Sequence, residues 1–210
     1  MGLFVLFEGV EGSGKSTQAR ALNRRLSKLG LPVILVEEPG GTAVGRVVRK
    51  LLKHRLEIEL SPLTELFLFA VARTQLVSEV IRPALDQGHI VICDRYTEST
   101  VAYQGYGRGL DLETIRSINN IATGGLRPDI IFLLDLEAQD GLSRKGSAVI
   151  KDRFEQEAIS FHRRVRQGYL DMANADPDHW LVFDATRSKA KTQSMIWQKT
   201  EQILLEKQLS

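Results

Sequence analysis

The sequence predicts an α/β fold in which a five-stranded parallel sheet is flanked by helices on both faces. Two observations support this prediction: five short runs are almost continuously apolar, and longer stretches with helical periodicity separate them. Strands that are covered on both faces read as continuous apolar runs, and strands alternating with helices are typical of βαβ units. Because 210 residues match the usual size of one domain, we expect a single domain over residues 1–210.

The elements follow one another in a regular order. The predicted strands are Leu3–Phe7, Val33–Val36, His89–Cys93, Ile130–Leu134 and Trp180–Phe183. The main predicted helices run from about Lys15 to Leu29, Ser61 to Leu85, Phe154 to Ala175, and Ser188 to the C-terminus, and a shorter one carries Arg46 and Arg49. Ser61 followed by Pro62 is the order of an N-cap and a first helical residue. Pro83 predicts a kink in the last turn of that helix.

The charge balance and the apolar runs exclude several classes of protein. Lys and Arg number 28 and Asp and Glu 26, which is too even for a protein that binds a nucleic-acid polymer along a whole face. No apolar run approaches the roughly 18 residues that span a bilayer, and Glu8 ends the first run too early for a signal peptide. Cys93 is the only cysteine, so no internal disulfide can form. We therefore expect a soluble, cytoplasmic protein that binds neither membranes nor nucleic-acid polymers.

A glycine-rich segment lies directly after the first strand and opens the first helix. It consists of Gly9, Val10, Glu11, Gly12, Ser13, Gly14, Lys15, Ser16 and Thr17, and its first eight residues match G-x-x-x-x-G-K-[ST]. The glycines let consecutive backbone N–H groups point inward, and the helix N-terminus adds positive potential. In this motif the lysine reaches the β- and γ-phosphates and the Ser16 hydroxyl binds Mg²⁺. The segment therefore predicts a nucleoside triphosphate site.

Further along the chain, polar and basic residues follow the second and third strands. The turn Glu37–Thr42 follows the second strand, and the stretch Asp94–Gly105 after the third contains hydroxyls, an amide and an arginine. The carboxyl ends of parallel strands are where open sheets bind ligands. Phe69 and Arg73 are four residues apart and share a helix face. The missing Asn-Lys-x-Asp tetrapeptide argues against a GTPase, and the basic residue after Asp94 indicates a second anion.

Together these segments resemble bacterial thymidylate kinases. The matching segments are Gly9–Thr17, Glu38–Thr42, Phe69-x-x-x-Arg73, Asp94-Arg95-Tyr96 with Ser99, Ala102–Gly105 and Asp152–Glu155. That family transfers the γ-phosphoryl group of ATP to dTMP for dTTP synthesis. The resemblance implies a P-loop kinase fold with a short mobile lid at about 141–153, ATP and Mg²⁺ as cofactors, dTMP as the small-molecule substrate, and a homodimer.

The resemblance also implies roles for residues at the acceptor site. The residues that would bind dTMP are Glu11, Glu38, Pro39, Arg49, Phe69, Arg73, Arg95, Ser99, Thr100, Tyr103 and Gln104. Phe69 would stack on thymine, and Arg73 would donate to its O4 atom. Tyr103 would close the space of a ribose 2′-hydroxyl, while Arg49 and Arg95 would hold the monophosphate. Thr100 and Gln104 would add polar contacts to the base.

The catalytic groups implied by the resemblance are Lys15, Asp94, Arg144 and Arg153, with Ser16 and Asp94 as the groups near the metal. Because the acceptor is already an anionic phosphate oxygen, no strong general base is needed. An acid inside a phosphate cradle would repel a triphosphate by about 1 kcal/mol or more. We therefore expect Glu11 to face away, toward the acceptor sugar, and the transition-state cation to come from the basic segment Arg144–Arg153.

Two departures from the family pattern keep other functions open. Glu37 stands where the family commonly has arginine, and Ser147–Ile150 fills the middle of a segment that often carries several arginines. One alternative is a kinase for another deoxynucleoside or its monophosphate, against which Phe69, Arg73 and Gln104 argue. The other is a non-catalytic nucleotide-binding paralogue, for which Glu37 is the only support. An assay of ADP release with each nucleoside monophosphate distinguishes them.

Overall fold

A five-stranded, all-parallel sheet forms the centre of the computed structural model, which describes residues 2–53, 59–144 and 152–209. The strands are β1 Leu3–Glu8, β2 Val33–Glu37, β3 Ile90–Asp94, β4 Ile130–Asp135 and β5 Trp180–Asp184. Their order is β2-β3-β1-β4-β5. The predicted fold class is therefore confirmed, and every strand ends one residue later than predicted, at an acidic residue.

The register of the sheet brings the ends of β1 and β3 side by side. Phe7 pairs with Asp94, and the backbone N–H of Arg95 donates to the Phe7 carbonyl at 3.1 Å. The glycine-rich loop after β1 and the polar stretch after β3 therefore leave the sheet at the same edge. This is the carboxyl edge, where parallel α/β sheets bind ligands.

Helices surround the sheet. They are α1 Lys15–Lys28, α2 Ala43–Lys53, α3 Pro62–Leu76, α4 Arg82–Asp86, α5 Thr97–Thr100, α6 Leu112–Thr123, α7 Ala138–Arg144, α8 Ile159–Ala175 and α9 Lys189–Leu209. Two π-helical segments, Val77–Ile81 and Val101–Gly107, join α3 to α4 and extend α5. In the described residues no helix is both long enough and apolar enough to cross a membrane.

The helices differ from the predicted ones in three places. The long helix predicted from Ser61 is a succession of α, π and α segments, and the π segment lies just before Pro83, which has no N–H to donate. The helix predicted from Phe154 begins only at Ile159. In the segment before Ile159, the Asp152 carboxylate accepts hydrogen bonds from the backbone N–H groups of Phe154 and Glu155, both at 3.0 Å, and stabilises a turn. The helical segments between β3 and β4, and α7 between β4 and β5, were not predicted.

The core lies on both sides of the sheet. The strands contribute most of its fully buried residues, and the rings of Phe7, Phe132 and Phe183 form an edge-to-face series across three of them. Edge-to-face contacts of this kind are favourable beyond the area they bury. A sheet covered in this way is rigid, so it fixes the loops at its carboxyl edge.

Candidate active site

The loop between β1 and α1 forms a cradle of backbone N–H groups. Gly12 has φ +73° and Gly14 has φ +93°, a region that favours glycine. A Cβ atom on Gly12 would lie 2.0 Å from the carbonyl oxygen of Gly141, so no side chain fits there. The Ser13 hydroxyl is buried and has no hydrogen-bond partner among the described residues. An unpaired buried donor in a glycine-built cradle fits the phosphates of a nucleotide.

A cavity of about 660 Å³ opens over this cradle. Its lining residues are Glu11–Gln18, Leu134, Arg144, Ala185, Arg187, Ser188, Lys189 and Thr192. They come from the loop after β1 with the start of α1, from β4, from the end of α7, and from the segment after β5 with the start of α9. Arg144 donates from Nη1 to the Ala185 carbonyl at 2.9 Å, which holds its guanidinium at this cavity. We call it the donor pocket.

Lys15 is 7% exposed, and its ammonium group lies 3.4 Å from the Val10 carbonyl oxygen. Burial and, to a smaller extent, the nearby guanidinium of Arg95 lower the pKa of Lys15 to about 8. The carboxylates of Glu11 and Asp94 oppose this shift, which places Asp94 in the electrostatic field of the cradle. An ammonium that is poorly stabilised by the protein alone is well suited to bind a phosphate.

A second, narrower pocket adjoins the first. Its lining residues are Glu11, Glu38, Pro39, Lys53, Phe69, Arg95, Ser99, Thr100, Tyr103, Gln104, Asp152 and Phe154. Of the residues predicted to bind the acceptor, all but Arg49 and Arg73 line it. Its free volume is only about 40 Å³, because the Phe154 ring lies 5.7 Å from that of Tyr103 and 6.1 Å from that of Phe69. We call it the acceptor pocket; in this conformation it is too small for a nucleotide, and the Phe154 ring occupies part of the space.

Of the two described cations that line the acceptor pocket, Lys53 and Arg95, Arg95 is the more buried. It has φ +75°, the only positive φ of a non-glycine residue in the described parts of the chain, and such conformations persist where the surroundings enforce them. Its Nη2 atom donates to Glu11 at 2.6 Å and to the Tyr103 hydroxyl at 3.1 Å. Its Nη1 atom donates to the hydroxyls of Ser99 and Tyr169 at 3.0 and 3.1 Å. Glu11 thus faces Arg95 and lines both pockets.

Glu8 and Tyr169 support this arrangement, and sequence reasoning missed both. Glu8 is completely buried and accepts the backbone N–H groups of Tyr96 and Ser99 at 2.9 and 3.1 Å. It also accepts the hydroxyls of Ser99 and Tyr169 at 2.7 and 2.8 Å. Burial raises the pKa of Glu8, although Arg95 opposes the shift. Glu8 could have been recognised in the sequence, because it is an acidic residue at the end of an apolar strand and directly precedes the glycine-rich loop.

Arg73 lies behind the wall of the acceptor pocket rather than in it. It is 1% exposed and donates to Glu38 at 2.8 Å and to Asn119 at 2.7 Å. It also donates to the carbonyl of Tyr96 and the hydroxyl of Thr100, both at 2.9 Å. Four of the five guanidinium N–H groups are thereby used. Burial raises the pKa of Glu38 to about 7, and Arg73 opposes this shift.

Arg49, predicted to hold the acceptor phosphate, is paired with the unusual Glu37. Its Nη1 atom donates to the Pro39 carbonyl at 2.8 Å and lies 3.3 Å from a carboxylate oxygen of Glu37. Both side chains are partly exposed, so this pair contributes little to stability. Arg49 thus lies beside the acceptor pocket, in contact with Glu37 and with Pro39, which lines the pocket.

The two arginines predicted to be catalytic lie in different places. Arg144 lines the donor pocket, whereas Arg153 contacts the carboxylate of Glu65 and donates to the Leu52 carbonyl at 3.2 Å. Of the two arginines, only Arg144 therefore lines the donor pocket. Of the lid predicted at about 141–153, residues 141–144 belong to α7 and 145–151 lie outside the described residues.

The residues at the donor pocket also fit a nucleotide-bound Mg²⁺. The described residues contain no group of three or more His, Cys, Asp or Glu side chains that could hold a metal ion alone. In kinase sites Mg²⁺ takes one or two protein ligands and completes its shell with phosphate oxygens and water. Ser16 lines the donor pocket and Asp94 acts electrostatically on Lys15, which is consistent with this kind of site.

Known proteins resemble this chain over almost its full length. The family model described as thymidylate kinase matches residues 7–196. A thymidylate kinase from Dehalococcoides mccartyi is 51% identical over 204 residues, which is 97% of this chain and 98% of the relative. One from Deinococcus radiodurans is 48% identical over 196 residues, 93% of this chain and 95% of the relative.

A solved structure agrees with these relatives. The crystal structure of thymidylate kinase from Ehrlichia chaffeensis superposes with a TM-score of 0.72 at 36% sequence identity. The alignment covers 87% of this chain and 92% of that one. With two adjoining pockets at the carboxyl edge of the sheet, and with relatives about half identical along nearly their whole length, the chain belongs to the thymidylate kinase family.

Proposed function

We propose that the protein transfers the γ-phosphoryl group of ATP to dTMP and releases ADP and dTDP. The observation that supports this most strongly is the position of Glu11, which lines both the donor pocket and the acceptor pocket. The two pockets therefore share a wall. Two nucleotides bound in them would bring the γ-phosphate close to the acceptor phosphate, and positioning of this kind supplies most of the catalysis in phosphoryl transfer.

The positions of the pocket residues suggest a separate role for each of them in phosphoryl transfer. Lys15 and the loop N–H groups would hold the β- and γ-phosphates, and Arg144 would neutralise charge on the transferring group. Arg95 would hold the acceptor phosphate at the other side of the shared wall. Mg²⁺, held by Ser16 and by phosphate oxygens with Asp94 near its water shell, would neutralise charge on the β- and γ-phosphates. The acceptor oxygen is already anionic and attacks without loss of a proton.

The side chains of the acceptor pocket suit a nucleotide with a pyrimidine base and a 2′-deoxyribose. Phe69 offers an aromatic face, and Gln104 and Thr100 offer polar atoms on the pocket wall. Tyr103 donates its hydroxyl to Glu11 at 3.3 Å and is nearly buried, so it would fill the space of a ribose 2′-hydroxyl. Arg73, enclosed behind the pocket wall, would act on the base through Glu38 and Thr100, which it holds in place.

A panel of acceptors tests this function. Purified protein is incubated with ATP and Mg²⁺ and with each nucleoside monophosphate in turn, and the release of ADP is measured. We expect dTMP to be the preferred acceptor, with dUMP weaker and dCMP and purine monophosphates nearly inactive. Preference for another deoxynucleotide would favour the alternative kinase. Tight ATP binding without turnover of any acceptor would favour a non-catalytic paralogue.

Phe69→Ala should weaken dTMP binding by about 1 to 3 kcal/mol, because the base loses a stacking partner. The binding of ATP should remain nearly unchanged, since Phe69 does not line the donor pocket. Calorimetric titration with each nucleotide measures both effects. An equal loss for the two nucleotides would instead identify Phe69 as a plain core residue.

ATP binding should take up protons from solution at alkaline pH. The pKa of Lys15 in the free protein is lowered to about 8, and a bound triphosphate favours the charged ammonium and raises that pKa again. At pH 8.5 we expect an uptake of about 0.5 to 1 proton, and at pH 6.5 almost none from this group. Titrations in buffers of different ionisation enthalpy measure it. Uptake that is no larger at pH 8.5 than at pH 6.5 would contradict the lowered pKa.

We also propose that two copies associate through an apolar stripe on α2 and α3. Its exposed residues are Val44, Val47, Leu51, Leu63, Phe67 and Val71. The two helices pack side by side, so their exposed side chains form one surface of the kind that marks an interface. The family resemblance implies that the occupant is a second copy of this chain.

Phe67→Glu should therefore convert a dimer into a monomer, because it places a charge in the apolar stripe. Phe67 is 50% exposed, so the change should leave the fold of the monomer intact. Sedimentation at micromolar concentration checks this outcome. A parent protein that already sediments at 23.5 kDa would contradict the homodimer.

We also propose that the protein is cytoplasmic. Cys93 is a free, fully buried thiol, and burial raises its pKa well above the ordinary value. Such a thiol is unreactive and is typical of a structural cysteine in a reducing compartment.

A further inference from the structure

Glu65 is a fully buried carboxylate on α3, and four donor atoms converge on it. Its Oε1 atom accepts from Gln104 Nε2 at 2.6 Å and from Arg108 Nε at 3.2 Å. Its Oε2 atom accepts from Arg108 Nη2 at 3.3 Å and from Arg153. Gln104 lines the acceptor pocket, whereas Glu65 does not. Glu65 can therefore affect a bound nucleotide only through its partners.

The charges of these partners fix the orientation of the Gln104 amide. A guanidinium group carries only donors and stays charged, and two of them together contact both oxygens of Glu65. A proton on either carboxylate oxygen would face a donor, so Glu65 serves only as an acceptor. The end of the Gln104 amide that faces Glu65 must then be the NH₂ group. The carbonyl oxygen Oε1 is left for the opposite side.

Gln104 Oε1 is a buried acceptor without a partner in the described parts of the chain. Gln104 exposes only 1% of its surface and lines the acceptor pocket. A buried carbonyl oxygen that makes no hydrogen bond is costly, so an N–H group of a ligand would be favoured there. Thymine carries a ring N3–H donor, whereas cytosine carries a lone pair at the same position.

We propose that Glu65 is a positioning residue for base selection. It holds Gln104 with Oε1 toward the acceptor pocket, where this oxygen accepts the N3–H of thymine. The inference rests on the proposed function, since it takes dTMP as the acceptor. In the opposite orientation Gln104 would present its NH₂ group, which suits the N3 lone pair of cytosine. Glu65 thus discriminates between the two bases without touching either.

Glu65→Gln tests this role, because a glutamine at position 65 can donate as well as accept and so releases Gln104 to rotate. We expect the KM for dTMP to rise roughly tenfold or more, with kcat and the KM for ATP changed less than about twofold. The preference for dTMP over 5-methyl-dCMP should narrow. In a Gln104→Leu background the same change should have no further effect, since Glu65 acts through Gln104.

Glu157→Gln is the matched control. The Glu157 carboxylate accepts from Nη1 of the same Arg108 at 2.6 Å, whereas only its backbone N–H, which the substitution keeps, reaches the acceptor pocket by donating to the Phe154 carbonyl at 3.1 Å. We expect the KM for dTMP to stay unchanged in this variant. If Glu65→Gln raises the KM values for dTMP and ATP equally, or acts as strongly when Gln104 is leucine, Glu65 has a structural role only and the inference is overturned.

A crystal structure of the parent protein with dTMP provides a second measurement if Glu65→Gln does not fold. We expect the Gln104 amide to lie between Glu65 and the base, within about 3.2 Å of a Glu65 oxygen and of N3. Loss of either contact overturns the inference. A parent protein that does not phosphorylate dTMP would overturn the proposed function instead, whereas an active parent with an unaltered Glu65→Gln variant would overturn this inference alone.

Discussion

Lys15→Ala should abolish phosphoryl transfer almost completely, with a loss in kcat of roughly 10²- to 10³-fold or more. The ammonium group of Lys15 is held in the cradle against the Val10 carbonyl, at the wall of the donor pocket. Alanine at this position leaves the β- and γ-phosphates without their nearest side-chain cation. Steady-state assays of ADP release at saturating dTMP measure the loss.

Lys28→Ala is the control for this variant. Lys28 lies in the last turn of the same helix and does not line either nucleotide pocket. We expect it to keep the parent activity. Lys15→Ala should unfold at nearly the parent temperature and should bind dTMP normally, because the acceptor pocket does not include Lys15. A folded Lys15→Ala variant with normal turnover would refute the assignment of the phosphate cradle.

Arg144→Ala should lower kcat by roughly 10³-fold and leave the KM for dTMP nearly unchanged. Charge spreads over the transferring phosphoryl group in the transition state, and an arginine that meets it contributes effects of this size. Glu11 occupies the loop position from which a cation could have reached the phosphates, and it is turned toward Arg95. Arg144 lines the donor pocket and is held there through the Ala185 carbonyl.

Two further variants separate this role from a general effect of charge. Arg163→Ala removes an exposed arginine of α8 that lines neither pocket, and it should keep the parent kcat. Arg153→Ala removes a side chain that contacts Glu65, so its effect should fall mainly on the KM for dTMP. A kcat for Arg144→Ala within twofold of the parent would show that Arg144 only solvates the surface.

The sequence predicts the sheet well because apolar runs mark strands that are buried on both faces. All five strands lie where the runs predict them. Each extends one residue further because backbone pairing continues to an acidic side chain at the carboxyl edge, as in the pairs of Phe7 with Asp94 and Asp135 with Asp184. The strands stop being apolar at the residues that border the site. Apolar runs therefore do not predict the strand ends there.

The helical segments after β3 are harder to predict. Thr97–Gly107 combines hydroxyl, glycine and aromatic residues that have low helix propensity, and it is stabilised by burial against α8. Asp111 was an available signal for α6, because its carboxylate caps that helix by accepting from the Thr114 backbone N–H at 2.7 Å. The helical conformation of Thr97–Gly107 thus depends on tertiary contacts. The cap at Asp111, by contrast, could have been recognised in the sequence and would have predicted α6.

Most residues of the candidate site were predicted, but the hydrogen bonds that connect them were not. The family resemblance assigns Phe69, Tyr103 and Gln104 to the acceptor site, and in the structure all three line the acceptor pocket. Spacing alone does not reveal that Arg73 is enclosed by other protein groups or that Arg153 contacts Glu65. Those contacts join residues tens of positions apart, so they depend on the fold and not on local sequence.

We expect the γ-phosphate to pass directly between two nucleotides that are bound on either side of the wall formed by Glu11. ATP labelled in its γ-phosphate, mixed with dTMP and Mg²⁺, tests this most directly. We expect the label to appear in the β-phosphate of dTDP, one for each ADP formed, with almost none released as inorganic phosphate. Label that appears mainly as inorganic phosphate, or in dTDP no faster than without the protein, would contradict the account.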